Sequence, residues 1–538
     1  MAEGKKISKS FAGIAGIVAV ATIISKVFGL FRQQAIAAAF GVGIVANSYG
    51  YAYVIPGFLL ILLGGINGPF HSALVSILSK RNQEDAAPVV ETVSTLVTCA
   101  LLLVSFLLVI FAGNLIDLVA PGLGSTPAGA VERNLAIQQL QIMAPMAILA
   151  GLIGIGFGTL NAADQYWLPA VSPIFSSLAV ILGLAGLAWQ LGDKISTPEY
   201  AQLGGMILAG TTLAGAILQW LAQLWAQWRS GLGKIRLRFD WRIPGAKEAI
   251  AIMLPATFSS GMLQINVYTD LFFASFIPYS AAVLGYAGLL VNTPLGLVSN
   301  IILIPLMPVL SKLTAPENWD ELKQRIRQGL LLTALTMLPI SALMITLAIP
   351  VVRIVYERQA FDNQASMLVA PVLVAYGIGM FVYLGRDVLV RVFYALEDGD
   401  TPFKVSILNI FLNALLDFFL VQIWGTVGIV LATVIVNVIS MVMFLYLLNK
   451  KLRGLPLLEW SLPLLGITAA SVVCGLVSWG INWGTQQMWG ADGLGIQLVE
   501  ITAASFGGLL AFVLIVTRLN LPEVDVLGAR LREKLPWF

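Results

Sequence analysis

The sequence predicts an all-α polytopic membrane protein with about fourteen transmembrane helices: two parallel six-helix repeats that form a V-shaped cavity, and two extra carboxyl-terminal helices. Three observations predict this class. Only 11% of the residues are charged and 58% are hydrophobic, whereas soluble domains carry about 25% charged residues. The apolar residues form runs long enough to cross a bilayer, and short motifs recur in the two halves of the chain.

Fourteen segments are apolar over the length of about 20 residues that a membrane helix needs. They lie at roughly residues 10–40, 46–79, 89–113, 134–160, 167–191, 201–228, 248–276, 282–310, 328–350, 365–395, 403–424, 426–449, 460–482 and 496–518. The basic start of the chain resembles a signal peptide, but the first apolar run is long and lacks a clear small-residue cleavage site. We therefore expect the first helix to be retained.

The basic residues alternate between the two sides of the membrane that these spans define. With the amino terminus inside, 22 of the 31 Lys and Arg residues fall in inside segments. The outside loops hold only four, which are Arg133, Lys194, Arg353 and Arg358. Cytoplasmic loops carry such an excess of positive charge, so both termini are predicted to be cytoplasmic.

Three short matches between the halves indicate an internal repeat, because their offsets of 235, 232 and 233 residues are nearly equal. They pair Gly50-Tyr51-Ala52 with Gly285-Tyr286-Ala287, Ser79-Lys80 with Ser311-Lys312, and Ala162 with Ala395, each seven residues before a proline. Parallel repeats are a transporter architecture. We predict lobes at 1–230 (helices 1–6) and 231–455 (helices 7–12), a lipid-tail groove at 456–518 (helices 13 and 14), and a cytoplasmic tail at 519–538.

Two positive charges lie inside the first apolar run, which is costly unless they face a cavity or a partner. At 1.5 Å per residue, Lys26 lies about 24 Å along a helix that starts near residue 10, and Arg32 about 9 Å further. Six residues also separate them by about 120° around the helix axis. They are predicted to line different walls of a vestibule, although Arg32 could instead extend to the outer interface.

Acidic and amide side chains in the second half predict a cation site. Asn409, Asn413 and Asp417 recur every four residues and form one stripe of helix 11, and Thr433 on helix 12 and Asp270 on helix 7 lie at a similar depth. Their hard oxygen atoms suit a small cation. Protonation of the two acids, or pairing with water and helix ends, is the alternative.

The remaining candidate residues predict no covalent chemistry. The chain lacks the motifs of nucleophilic hydrolases, zinc proteases and P-loop ATPases, and its net charge of +3 does not suggest nucleic acid as a partner. The only histidine, His71, and the two cysteines are expected to pack among helices. Arg386, Asp387 and Arg391 are expected to extend to the cytoplasmic interface.

Four stretches carry a resemblance to a known family, and they lie at residues 25–43 (SKVFGLFRQQAIAAAFGVG), 285–312 (GYAGLLVNTPLGLVSNIILIPLMPVLSK), 355–362 (VYERQAFD) and 393–413 (FYALEDGDTPFKVSILNIFLN). Together they resemble the MurJ/MviN lipid II flippases of the multidrug/oligosaccharidyl-lipid/polysaccharide exporter superfamily. The resemblance implies an alternating-access flippase of the bacterial inner membrane, coupled to an ion gradient or the membrane potential and free of covalently bound cofactors. The implied cargo is undecaprenyl diphosphate carrying a disaccharide–pentapeptide, the peptidoglycan precursor needed for cell shape. Membrane lipids and cell-wall synthesis enzymes are further expected partners.

The resemblance also implies site residues. The family's Ser-Arg…Arg-Asp pattern, which faces the cargo diphosphate, falls on Ser25, Lys26, Arg32 and Gln33, and two family acids fall on Asn47 and Asn292. The predicted cargo-binding residues are therefore Ser25, Lys26, Arg32, Asn47 and Asn292. Arginines of helices 2 and 8 fall on Leu60 and Leu289, so half of the family's cationic cavity is missing. A sodium site of some members matches Asp270, Asn413, Asp417 and Thr433.

Three other functions compete with a lipid II flippase. The chain could export another polyprenyl-linked glycan, or it could be a cation-coupled drug exporter. The bases of helix 1 disfavour the drug exporter, because a cavity for organic cations should be lined by acids. The third alternative is a scaffold that has lost transport and binds cell-wall enzymes, which the missing arginines keep open.

Overall fold

The computed structural model describes residues 11–65, 68–234, 236–240, 242–262, 265–490 and 493–524. Within these ranges every regular element is a helix, and one isolated β-bridge joins Arg358 to Phe361. The predicted all-α class is therefore confirmed. The chain divides into two compact units, one of residues 1–282 and 358–361 and the other of residues 283–357 and 362–538.

The first unit contains the helices that precede residue 283. They are α1 (Phe11–Phe40), α2 (Ile44–Gly64), α3 (Pro69–Leu78), α4 (Gln83–Ile110), α5 (Ala112–Val119), α6 (Pro127–Met143), α7 (Met146–Ala162), α8 (Trp167–Val171), α9 (Pro173–Leu191), α10 (Ala201–Arg229), α11 (Pro244–Met262) and α12 (Ile265–Ala274). Short 3₁₀ helices occupy Pro121–Ser125, Gly192–Ser196 and Pro198–Tyr200.

The second unit contains the remaining helices, of which the first starts three residues before the unit boundary. They are α13 (Ser280–Ser311), α14 (Trp319–Thr346), α15 (Ala348–Tyr356), α16 (Asn363–Ala395), α17 (Asp400–Trp424), α18 (Thr426–Lys451), α19 (Leu457–Trp489) and α20 (Leu494–Val516). Two 3₁₀ helices lie at Pro316–Asn318 and Thr517–Leu519.

Most of these helices have the length and composition of membrane spans. Among the described residues, eleven pass that test, or twelve if the bent pair α6 and α7 forms one span. The helix α1 and the pair α11–α12, which the prediction of fourteen spans also requires, are helical but lie outside this set. The polytopic class is thus confirmed, whereas the number fourteen stays a prediction.

Proline explains the sharp bend in the fourth predicted span. The helices α6 and α7 meet at Ala144 and Pro145 with a bend of 43°. Proline has no backbone N–H, and its ring clashes with the carbonyl group one turn earlier, so a helix bends or ends there. One apolar run in the sequence therefore becomes two helical segments.

In the first unit, the seventh predicted span packs against helices of the first half of the chain. The helix α11 packs on α3 and α4, and α12 packs on α5. Ala246, Ala249 and Met253 of α11 join the same apolar cluster as Leu74 and Val93. The compact units are defined by contacts between residues, whereas the predicted lobes are defined by the sequence repeat. The two divisions describe different properties, and the lobe boundaries stay a prediction.

The short segment Arg358–Phe361 belongs to the first unit through backbone contacts. The N–H group of Ala360 donates a hydrogen bond to the carbonyl oxygen of Ala38 at 3.1 Å. Gly41 lies beside it with a φ of 55°, and a Cβ atom at that position would overlap the Ala360 carbonyl. Both the left-handed backbone and the close approach therefore require glycine.

The second unit is organised around α14 and α16. The helix α16 packs against α14, α15 and α18, and α18 also packs against α17. The last two helices, α19 and α20, pack closely on each other and contact the rest of the unit mainly through α14 and also through α15. Large apolar side chains such as Phe411, Phe418 and Leu462 are more than half exposed, which is typical of a surface that faces lipid.

Candidate functional site

The two bases of the first helix are both partly buried in the first unit. Ser25, Lys26 and Arg32 are of intermediate exposure on α1, which packs against α8, α9 and α2. The Nε atom of Arg32 is buried and has no hydrogen-bond partner among the described residues. A buried donor without a partner costs free energy, so this guanidinium is suited to an anionic group that supplies the missing acceptor.

A tyrosine of the neighbouring helix α2 interacts with Arg32. The interaction of Arg32 with this residue, Tyr49, is electrostatic. The Tyr49 hydroxyl lies 3.1 Å from the Thr212 hydroxyl of α10, and its ring stacks on Tyr53 with centroids 5.2 Å apart. These contacts hold the phenol in place, because both its ring and its hydroxyl are engaged. The described contacts beside Arg32 are thus made by hydroxyl and aromatic groups and include no carboxylate that would neutralise it.

Asn47, a predicted cargo-binding residue, is buried in the first unit and its amide is fully engaged. The side chain is 1% exposed. Its Nδ2 donates to the Glu132 carboxylate at 2.6 Å, and its Oδ1 accepts from the Ala282 N–H at 3.2 Å. Ser48 also donates to the Glu132 carbonyl oxygen at 3.1 Å. In this structure Asn47 joins α2 to α6 and to the start of α13, and its contact with the cargo stays a prediction.

We therefore expect Asn47→Ala to lower stability. The substitution removes a donor from the buried Glu132 carboxylate, and an unsatisfied buried group costs about 1–3 kcal/mol. Thermal unfolding in detergent should show a lower midpoint than for the control Asn318→Ala, an exposed position without a side-chain cap bond. Loss of lipid II binding at full stability would mean that Asn47 contacts the cargo directly.

Leu60 and Leu289 stand at the two positions where the resembling family has arginines. Leu60 is packed against apolar neighbours, and Leu289 is partly buried. Leu60 packs against two apolar clusters of the first unit, which include Leu63, Phe70 and Leu140. Leu289 is of intermediate exposure on α13 in the second unit. Both side chains fit an aliphatic setting, and a charge at Leu60 would have to leave that packing or stay unpaired.

Asn292, the fifth predicted cargo residue, lines a cavity that lies wholly within the second unit. The cavity has a volume of about 430 Å³. Helix α13 contributes Asn292 and Ser299, whereas α18 contributes Thr433 and Asn437. The α16 wall consists of Tyr376, Tyr383, Leu384 and Asp387. Its volume falls in the range of about 300–1,000 Å³ that is usual for ligand sites.

The α16 wall of this cavity was not predicted from the sequence. Asp387 lines the cavity with 51% of its side chain exposed, and its extension to the cytoplasmic interface stays a prediction. The spacing was an available signal, because Tyr376, Tyr383 and Asp387 are seven and four residues apart and share one helix face. Only the packing of α16 against α18 shows that this face bounds a cavity.

Three of the four predicted cation ligands come together in the second unit. Asp417 and Asn413 of α17 are 0% and 1% exposed. The Asn413 Nδ2 donates to the Asp417 Oδ2 at 2.8 Å, and the Thr433 hydroxyl donates to the Asn413 Oδ1 at 3.3 Å. A carboxylate, an amide oxygen and a hydroxyl are hard donors that fit a small cation.

The stripe on α17 extends beyond these ligands. Asn409 is 3% exposed and its Oδ1 accepts from the Ser440 hydroxyl of α18 at 2.7 Å. The predicted period of four residues is thus observed as a buried polar seam between α17 and α18. Asp270, the fourth predicted ligand, lies on α12 in the first unit and is of intermediate exposure. Among the described residues, no three His, Cys, Asp or Glu side chains form a metal cluster.

His71 packs among helices of the first unit, as expected. It is 9% exposed on α3, and its Nε2 lies 2.9 Å from the Nδ2 of Asn161 on α7. Because an amide nitrogen can only donate, Nε2 accepts and the imidazole is neutral in this contact. This histidine therefore joins two helices.

Comparisons with known proteins cover nearly the whole chain. A family model described as lipid II flippase MurJ matches residues 36–499. A probable lipid II flippase MurJ from Synechocystis sp. (strain PCC 6803) is 57% identical over 536 residues, which is 99% of each chain. The lipid II flippase MurJ of Burkholderia cenocepacia is 28% identical over 510 residues, covering 91% of this chain and 95% of that protein.

Solved structures with the same fold include two transporter types. The structure entitled lipid II flippase MurJ, inward closed conformation, matches with a TM-score of 0.72 at 22% identity and covers 93% of this chain and 98% of that chain. An inward-facing multidrug resistance MATE family transporter matches with a TM-score of 0.58 at 14% identity, covering 81% and 98%. At these identities the likeness concerns the fold alone.

Proposed function

The chain belongs to the MurJ lipid II flippase family, and we propose that it moves undecaprenyl diphosphate carrying a disaccharide–pentapeptide from the inner to the outer leaflet by alternating access. On this proposal the protein is a transporter and has no enzymatic activity. It lies in the bacterial inner membrane with both termini in the cytoplasm, which the distribution of Lys and Arg residues supports.

The observation that carries this proposal is the buried Nε atom of Arg32, which has no hydrogen-bond partner among the described residues and lies on the same helix as Lys26. Charge-assisted bonds from Arg or Lys to phosphate are among the strongest hydrogen bonds in proteins. A diphosphate offers several acceptor oxygens and two or more negative charges. It would satisfy the Arg32 Nε atom and offset the cost of keeping two bases at membrane depth.

The missing arginines change how the diphosphate would be held. With leucine at positions 60 and 289 and lysine at position 26, Arg32 provides the planar fork on these elements. Lysine is a point charge and does not fix phosphate geometry as arginine does. We propose that Arg32 orients the diphosphate, whereas Lys26 contributes attraction that is less directional.

Sodium coupling is the second part of the proposal. Asp417, Asn413 and Thr433 of the second unit would hold a sodium ion, and the ion would neutralise the buried Asp417 carboxylate. Thr433 also lines the cavity of the second unit, so this α18 residue belongs both to the proposed sodium site and to the cavity. A ligand shifts a conformational equilibrium only through its different affinities for the two states, and α18 is the element through which ion binding would bias the cavity.

The experiment that tests the proposed function is depletion of the chain in its own host, followed by measurement of lipid II exposure on the outer leaflet. We expect lipid II to accumulate in the inner leaflet and growth to stop. Normal flipping with loss of another lipid-linked glycan would identify a different cargo. Normal flipping with disturbed cell-wall enzymes would identify a scaffold, and normal flipping with increased drug sensitivity would identify a drug exporter.

A further inference from the structure

The cavity of the second unit combines polar groups of three helices without a basic side chain in its lining. Asn292 and Ser299 come from α13, and Thr433 and Asn437 come from α18. The Asn437 Nδ2 donates to the Thr433 carbonyl oxygen at 2.7 Å, which fixes the orientation of its amide. Amide, hydroxyl and carboxylate groups can together donate and accept hydrogen bonds, as a ligand rich in hydroxyl and acetamido groups requires.

The charge of the cavity wall is close to balanced. The Arg386 guanidinium lies 3.7 Å from the Asp387 carboxylate, and Arg391 on the same helix also interacts electrostatically with it. The lone acid of the lining therefore does not strongly attract an organic cation. Because the described lining contains no basic side chain, the wall does not favour a diphosphate or a free carboxylate either. A neutral polar ligand fits this wall better than a charged one.

Aromatic side chains complete the α16 wall. Tyr376 and Tyr383 are two helical turns apart, so their side chains lie on the same face as Asp387. The faces of aromatic rings carry partial negative charge, which attracts the polarised C–H groups of a pyranose ring. Planar polar side chains beside tyrosine rings therefore favour a sugar over an aliphatic lipid tail.

We propose that this cavity is the subsite for the N-acetylated sugar that is attached directly to the diphosphate of the cargo, an inference that rests on the proposed lipid-linked cargo. Asp387 and Asn437 bind the sugar hydroxyl and acetamido groups, and the tyrosines pack against its ring. The pentapeptide, which carries charged groups, does not occupy this subsite.

The test compares three ligands on the purified full-length protein by native mass spectrometry. The ligands are undecaprenyl diphosphate, undecaprenyl-diphosphate N-acetylglucosamine and lipid II. We expect Asp387→Asn and Asn437→Ala to weaken binding of the two sugar-bearing ligands about tenfold each, the effect of losing one hydrogen bond to the ligand. Binding of undecaprenyl diphosphate should be unchanged, which also shows that the variants are folded. The control is Asp400→Asn, an exposed acid at the start of α17.

Three outcomes would overturn the assignment. They are unchanged affinity for all ligands, equal weakening for all three ligands, and weakening confined to lipid II, which would place the peptide in the cavity. The proposed function fails separately. A protein with the expected ligand selectivity that moves no lipid II in the flipping assay would refute transport and leave the sugar subsite standing.

Discussion

Arg32→Ala is expected to abolish lipid II flipping and to fail to support growth of a depleted strain. The substitution removes the one guanidinium on α1, whose Nε atom is buried and unsatisfied among the described residues. Truncating one partner of a buried charge pair costs about 2–5 kcal/mol, which is about 30-fold or more in affinity. Arg32→Lys should retain partial activity, because the charge remains but the planar fork is lost.

The measurement combines complementation with a lipid II exposure assay at matched protein levels in the membrane. Lys26→Ala should also fail to support growth. Lys26→Arg should support growth, because the family pattern has arginine at this position. The matched control is Lys404→Ala, an exposed base near the start of α17. Normal flipping by Arg32→Ala would rule out a diphosphate site on this helix.

Asp417→Ala is expected to remove sodium-dependent stabilisation and to slow transport. The Asp417 carboxylate is fully buried and accepts a hydrogen bond from the Asn413 amide, which in turn accepts one from the Thr433 hydroxyl. An ion that binds only the folded protein stabilises it by about 2.7 kcal/mol at a hundredfold excess over its Kd. The midpoint of thermal unfolding should therefore be higher in sodium chloride than in potassium chloride of equal ionic strength for the wild-type chain. The two midpoints should coincide for the variant.

Controls separate an ion site from general effects of salt and packing. Asp400→Ala removes an exposed carboxylate of the same helix and should keep the sodium effect. Thr433→Ala should reduce the sodium effect more weakly, since it removes a neutral ligand. Equal stabilisation of the wild-type chain by sodium and potassium would contradict the proposed site. An effect of pH in place of sodium would favour proton coupling through the same acids.

Some site features follow from sequence because they depend on one helix. Asn409, Asn413 and Asp417 share a face through the helical repeat alone, and their burial against α18 is observed. Lys26 and Arg32 stand out in the sequence because a charge inside an apolar run is costly in lipid. Both inferences need only local geometry and the properties of the bilayer.

Other features depend on which helices meet, and no local sequence pattern shows those contacts. The Asn47 amide joins Glu132 and Ala282, so it has a packing role besides the predicted contact with the cargo. Asp387 lines a cavity with Asn437 of α18, which its predicted place near the interface did not indicate. The partners of both residues are distant in the chain, so no local pattern could identify them.

By itself the sequence determined the all-α membrane class and the positions of most spans, because apolar length and helical hydrogen bonding leave few other structures in lipid. It also carried the family resemblance, which depends on residues in contiguous stretches. The tertiary structure alone decided which polar side chains form hydrogen bonds between packed helices and which line a cavity. That division depends on contacts between distant helices, such as α13, α16 and α18, and a buried polar atom is either paired by such a contact or available to a ligand.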